Sequence, residues 1–115
     1  TFLVTRAFLE PMRSKAHGRF VALGSISSTL GTAGIASYCA SKWGVVGFVK
    51  ALAEELRGSG LQSLAVMPGS VDTDMLKGSG YAAAMSPDDV AKLVTYASLD
   101  APDAMNGSAL EMFGP

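Results

Sequence analysis

One cysteine, Cys39, and one histidine, His17, stand in a chain of 115 residues. No internal disulfide can form, and no Cys/His cluster has metal-ligand spacing, so a reducing, cytoplasmic setting without a metal centre is expected. Charge is also scarce. Charged residues make up 17% of the chain, the formal net charge is -1, and the lysines and arginines are scattered. This argues against the basic stripe that holds nucleic acid, while a hydrophobic content of 49% argues against disorder. Long apolar runs are missing too: none approaches the roughly 20 residues of a membrane span, and no charged-then-apolar leader opens the sequence. Neither nucleic acid nor a membrane is therefore an expected partner. No internal repeat or low-complexity segment is present.

What remains is a set of short apolar segments cut by glycine. Phe2, Leu3, Ala7, Phe8 and Met12 have partial helical periodicity, interrupted by Pro11 and closed by the polar stretch from Arg13 to Gly18, as in the last turns of a helix; the chain is expected to begin inside an element. Arg19 to Gly24 reads as a buried parallel strand, and Ser25 to Ser37 as a loop. A helix is expected over roughly Ala36 to Arg57, with its apolar stripe at Val45, Val49, Leu52 and Leu56 and with Tyr38 and Lys42 at the inner end of that stripe. Lys50, Glu54 and Arg57 would face solvent. Ala40, Gly44, Gly47 and Ala51 line a third face small enough for another helix to approach. Gly58-Ser59-Gly60 stops the helix, and Leu61 to Met67 forms the next strand, ended by Pro68-Gly69. The segment from Ser70 to Met85 lacks firm periodicity and reads as a mobile flap. Ser86-Pro87-Asp88-Asp89 starts a helix running to about Leu99, and Ala109 to Phe113 is a further strand.

Strand, loop, helix and strand make a βαβ unit, and in an open parallel sheet the ligand sits outside the carboxyl ends of the strands. Ser25, Pro68-Gly69 and the start of the helix carrying Tyr38 and Lys42 converge on that rim. On a helix, i and i+4 side chains lie about 40° apart around the axis, so Tyr38 and Lys42 can reach one bound molecule. An ammonium about 5 Å from a phenol oxygen favours the phenolate by about 3 kcal/mol at an effective dielectric of about 20. A serine hydroxyl nearby can polarise a substrate oxygen. Ser27 and Ser28 compete with Ser25 for this place, and spacing favours Ser25. Cys39 and His17 read as a packed residue and a surface turn residue, and Asp72 and Asp74 as loop-solvating or N-cap groups.

Gly24-Ser25, then Tyr38 and Lys42, then Pro68-Gly69-Ser70-Val71-Asp72-Thr73 resemble the short-chain dehydrogenase/reductase family. The likeness extends to His17-Gly18-Arg19-Phe20-Val21 and Asn106-Gly107, and within the family it is most similar to acyl-carrier-protein-reductase-like members. The resemblance implies an NAD- or NADP-dependent oxidoreductase that passes hydride between nicotinamide and a small carbonyl or alcohol substrate. Tyr38 would be the general acid/base. Lys42 would assist it and hold the nicotinamide ribose, Ser25 would orient the carbonyl, and Pro68, Gly69, Val71 and Thr73 would line the nicotinamide. The family's glycine-rich phosphate turn, its selector of NAD or NADP, its Asn-Asn-Ala-Gly segment and its active-site asparagine have no counterpart here, and Phe113-Gly114-Pro115 replaces its usual Asp-Gly-Gly. The expected fold is thus α/β, the C-terminal half of a Rossmann-like doubly wound parallel sheet, as a single partial domain without the adenosine-binding half. A homo-oligomer is implied for the complete enzyme. The rival expectation is a non-catalytic fragment or interaction remnant with an unpaired strand edge.

Overall fold

The computed structural model describes residues 1–115. Helix α1 (Phe2–Arg13) leads into strand β1 (Gly18–Leu23), a single 3-10 turn (Ile26–Ser28) and helix α2 (Ala36–Glu55). Strand β2 (Leu61–Pro68), helix α3 (Pro87–Thr95) and strand β3 (Ala109–Met112) follow. The three strands are parallel in the order β1-β2-β3, with Gly18 opposite Leu61 and Leu23 opposite Val66 at the two ends of the first pairing. β2 is central. Its Leu64, Ala65 and Val66 are fully buried, as a run flanked by strands and covered by helix should be. The α/β expectation holds, and β1 keeps a free outer edge, as the sequence reading anticipated.

α2 packs on the sheet through Val46 and Val49, which meet Ala65 and Met67, and through Leu52 and Leu56, which meet Leu61. Each such side chain contributes about 1.5–3 kcal/mol by leaving water. Of the expected stripe, Val49, Leu52 and Leu56 are buried, and Val46 takes the place of Val45. The buried line runs Cys39, Val46, Val49, Ala53 and Leu56, flanked by Leu52, whereas Val45 is half-buried and Tyr38 is 38% exposed. The small residues are drawn inward because the chain comes close there: a Cβ added at Gly107 would lie 3.3 Å from the Ala53 Cβ, and the Asn106 amide donates to the Ala53 carbonyl at 2.9 Å. Asn106 also accepts from the Ser63 N–H at 2.9 Å, so one side chain joins α2, β2 and the approach to β3.

α1 does not stop at Pro11 but runs on to Arg13. Its Phe2, Leu3, Val4 and Phe8 are exposed, and only Thr5 is buried. Beyond α3 the chain makes a π-helical turn (Tyr96–Asp100), closed by the Ala101 N–H on the Tyr96 carbonyl at 2.8 Å. Arg19 from β1 holds this turn by donating to the carbonyls of Ala97 and Ala101 and pairing with Asp103 at 3.3 Å. The Gln62 amide and then Arg19 keep the Asp103 carboxyl below its ordinary range.

α3 starts on a reciprocal cap. Ser86 accepts from the Asp89 N–H at 3.2 Å, and the Asp89 carboxylate accepts from the Ser86 N–H at 3.0 Å and from its hydroxyl at 2.7 Å. These Ser86 bonds, helped by Lys92, lower the Asp89 carboxyl from 3.8 to about 2. Its folded value being depressed, the support is complete above 3.8 and is lost as pH falls toward about 2. Ser86→Ala is expected to cost about 1 kcal/mol of stability at neutral pH. Thermal unfolding followed across that acid window should show a shallower loss in the variant than in the parent chain.

Candidate functional site

A cavity of about 550 Å³ lies where the strands begin, bordered by His17, Arg19, Gln62 and Asp103. Ligands of open parallel sheets gather at the opposite end, outside the carboxyl ends of the strands, and that rim carries the chemistry-bearing residues.

β1 ends at Leu23, and the Gly24 N–H still reaches the Val66 carbonyl of β2 at 2.8 Å. Ser25 then turns the chain. Its hydroxyl accepts from the Ser27 N–H at 3.1 Å, and the Ser28 hydroxyl lies 3.4 Å from the Ser25 N–H. Ser25 is buried, 8% exposed, and its hydroxyl, accepting from backbone, keeps its own proton for another acceptor. Ser28 is buried in the reciprocal cap of that turn. The 3-10 turn packs against α2.

Lys42, one helical turn after Tyr38, donates to the Leu23 carbonyl at the end of β1, 3.3 Å away. Its ammonium also lies 5.7 Å from the centre of the Tyr38 ring, a cation–π contact. The sheet therefore fixes the lysine, and the lysine sits against the tyrosine. Tyr38 stands on the exposed shoulder of α2, while its neighbour Cys39 turns inward, its thiol 3.8 Å from the Leu30 carbonyl. No sequence signal marks the Leu23 carbonyl as the lysine's anchor, since it is a backbone group.

At the end of β2, Pro68 pairs with Met112 of β3, and the Gly69 N–H donates to the Met112 carbonyl at 2.8 Å. A Cβ on Gly69 would stand 3.4 Å from Ile26 Cδ1 and 3.6 Å from Met85 Cε. The turn after Ser25 and the loop after β2 thus meet over Gly69, with Ile26 and Met85 as apolar contacts that carry no motif.

The segment expected as a free flap is tied at its base. Val71 pairs with Met85 as an isolated parallel bridge, Asp72 N–H donates to the Met85 carbonyl at 2.9 Å, and Ala84 N–H donates to the Ser70 carbonyl at 2.8 Å. Beyond the base the bonds are local: Thr73 hydroxyl to the Val71 carbonyl at 3.4 Å, and Lys77 to Asp74 at 2.5 Å. Thr73, Met75 and Tyr81 are exposed. Asp74 pairs with Lys77, in keeping with a loop group.

A family model described as short chain dehydrogenase matches residues 1–83, the stretch that holds Ser25, Tyr38, Lys42 and Pro68 to Thr73. The chain belongs to that family. Among curated relatives, 3-oxoacyl-[acyl-carrier-protein] reductase of Escherichia coli is 40% identical over 76 residues, covering 66% of this chain and 31% of that protein. Retinol dehydrogenase 10 of Xenopus tropicalis is 42% identical over 80 residues, covering 67% of this chain and 24% of that one. An oxidoreductase of the family from Burkholderia thailandensis superposes on 96% of this chain with a TM-score of 0.83 and 27% identity, 48% of its own chain being matched. A gluconate 5-dehydrogenase from Burkholderia cenocepacia, solved with NADP and tartrate, reaches a TM-score of 0.89 over 98% of this chain and 50% of its own; at 23% identity this likeness speaks to the fold. The chain thus spans about half of these solved structures and under a third of the curated relatives. The family resemblance and the Rossmann-like fold drawn from the sequence are both borne out.

The donors on the rim suit the ribose and carboxamide end of a nicotinamide nucleotide. Lys42 uses one of its ammonium N–H donors on the Leu23 carbonyl, leaving others for hydroxyl oxygens, and Ser25, two residues after Leu23, retains a donor proton. Gly69 brings backbone to the rim without a side chain. No helix is long and apolar enough to cross a membrane.

Proposed function

We propose that this chain carries the proton-transfer half of an NAD- or NADP-dependent oxidoreductase site, acting on a small carbonyl or alcohol compound. The observation that carries the reading is Lys42, anchored on the last carbonyl of β1 with its ammonium against the Tyr38 ring. In this reading Tyr38 gives its phenol proton to the substrate oxygen during reduction and takes it back during oxidation. Lys42 stabilises the negative charge that develops on the phenol oxygen and holds the nicotinamide ribose. Ser25 donates to the substrate oxygen and keeps it facing Tyr38. Pro68, Gly69, Val71 and Thr73 line the nicotinamide, which supplies or accepts hydride when bound. Removal of the Tyr38 hydroxyl tests the assignment.

The same reading places the adenosine-binding half outside this chain and the complete enzyme in the cytoplasm, as the single cysteine, unpaired, favours. A second reading, of the 115 residues as a non-catalytic fragment, is favoured by the free edge of β1 and the exposed apolar face of α1. Titration of the chain with NADPH, followed by nicotinamide fluorescence, separates the two: micromolar affinity overturns the fragment reading.

Self-association belongs to the proposal as well. Ala40, Gly44, Gly47 and Ala51 are exposed, and a Cβ added at Gly44 or Gly47 meets nothing within 4 Å. Within one chain, Gly47→Ala should therefore gain about 0.5–1 kcal/mol through helix propensity. If a second copy covers this face, the added methyl weakens the assembly instead. Sedimentation velocity of both forms should show the variant shifted toward monomer; an unshifted distribution would remove this face from the interface.

A further inference from the structure

The loop after β2 is held not only by its own base but by the end of the chain. The Met112 carbonyl accepts the Gly69 N–H at 2.8 Å, and two residues later Gly114 turns with φ 93°, a left-handed conformation open to glycine. An added Cβ there would overlap the Ala84 carbonyl oxygen and stand 3.0 Å from the Ala84 Cβ and 3.1 Å from its carbonyl carbon. Ala84 in turn donates to Ser70, and its neighbour Met85 bridges to Val71. A contact path thus runs from the tail through the loop base to Val71 and to the Thr73 hydroxyl bonded to it. Between Thr73 and Ala83 the backbone bonds stay within the loop, so no backbone bond on that stretch ties it to the sheet.

We infer that Gly114 is a positioning residue: its backbone packs on Ala84 and sets where the Val71–Thr73 segment stands, and with it the nicotinamide wall proposed above. The inference rests on that functional reading for its ligand but not for its geometry. It extends the site to a residue outside the stretch matched by the family model, which ends at residue 83.

Two changes remove the latch in different ways. Gly114→Ala inserts a methyl against Ala84, and a chain ending at Phe113 deletes the contact without a clash, which keeps the test open if the first variant fails to fold. Limited trypsin digestion reads the loop at Lys77, with Lys50 and Arg57 on and beside α2 as internal references, and fluorescence titration with NADPH reads the wall. Cleavage after Lys77 should rise by about tenfold in both variants while cleavage after Lys50 and Arg57 stays unchanged. NADPH should bind about fivefold more weakly. Unchanged cleavage after Lys77 overturns the inference. So does a parallel rise at all three sites, which marks general loosening, or selective cleavage with unaltered NADPH affinity. If the parent chain binds no NADPH, the fragment reading stands, and the cleavage contrast alone decides whether Gly114 holds the loop.

Discussion

Tyr38→Phe in the complete protein should lower turnover of a carbonyl substrate by about 10²–10⁴-fold, the range that a positioned proton donor supplies. The substitution removes one oxygen and leaves the ring, so the cation–π contact with Lys42 survives. The fold has little reason to respond. Tyr38 is 38% exposed, and the inward position on that turn of α2 belongs to Cys39. Matching circular dichroism and melting curves beside the loss of nicotinamide-coupled turnover would locate the defect in the chemistry. Turnover retained within a few fold of the parent sinks the assignment of Tyr38. NADPH affinity should change little, because Lys42 keeps its anchor on the Leu23 carbonyl.

Gly60→Ala is expected to have the largest effect on stability. Gly60 has φ 78°, which for an L-residue costs about 1–2 kcal/mol, and an added Cβ would overlap the Ala16 carbonyl oxygen and stand 2.8 Å from its carbon. Ala16 is itself left-handed at φ 48°. The turns that end α1 and α2 therefore touch backbone to backbone immediately before Gly18 and Leu61, the residues that open the β1–β2 register. Neither backbone can give way without moving a strand. A loss of about 3 kcal/mol or more is expected, a large share of the about 5–15 kcal/mol that holds an ordinary domain together. Gly58→Ala is the control: φ is 77° there too, but an added Cβ meets nothing within 4 Å, so only the conformational cost of about 1–2 kcal/mol should appear. Urea midpoints for the two variants test this. Equal losses would show that the Ala16 contact yields freely.

The order of elements was readable because each strand announces itself as an apolar run closed by glycine or proline, and because Ser86-Pro87-Asp88-Asp89 is a helix start in chemical terms. The rim was readable for the same reason: once β1 and β2 are parallel, the residues that follow them must share an edge. The face of α2 was read correctly at Val49, Leu52 and Leu56 and one position off at Val45, where Val46 is the buried residue. Hydropathy ranks Val45 above Ala53 and Cys39, whereas the sheet and the Asn106–Gly107 approach admit only what is small enough to fit. The π-helical turn after α3 left no local mark, since the guanidinium that stabilises it arrives from Arg19 on β1. Nor did the closure of the loop after β2, which depends on Val71 meeting Met85 and on a tail glycine packing against Ala84. In each case the missing information was a distance between residues far apart in the chain.

The Asn106–Gly107 step bears on how the molecule ages. Asparagine before glycine loses its amide readily when the glycine nitrogen is free to attack the side-chain carbonyl. Here that nitrogen is occupied by the Ser63 carbonyl at 2.8 Å, and the amide is held at both ends by Ser63 and Ala53. The native state thereby shields this amide, and its loss is expected to be faster in molecules that open here. An aspartate at this position would present a negative oxygen to the Ala53 carbonyl where an N–H once stood, so a single hydrolysed side chain would weaken the tie between α2 and β2.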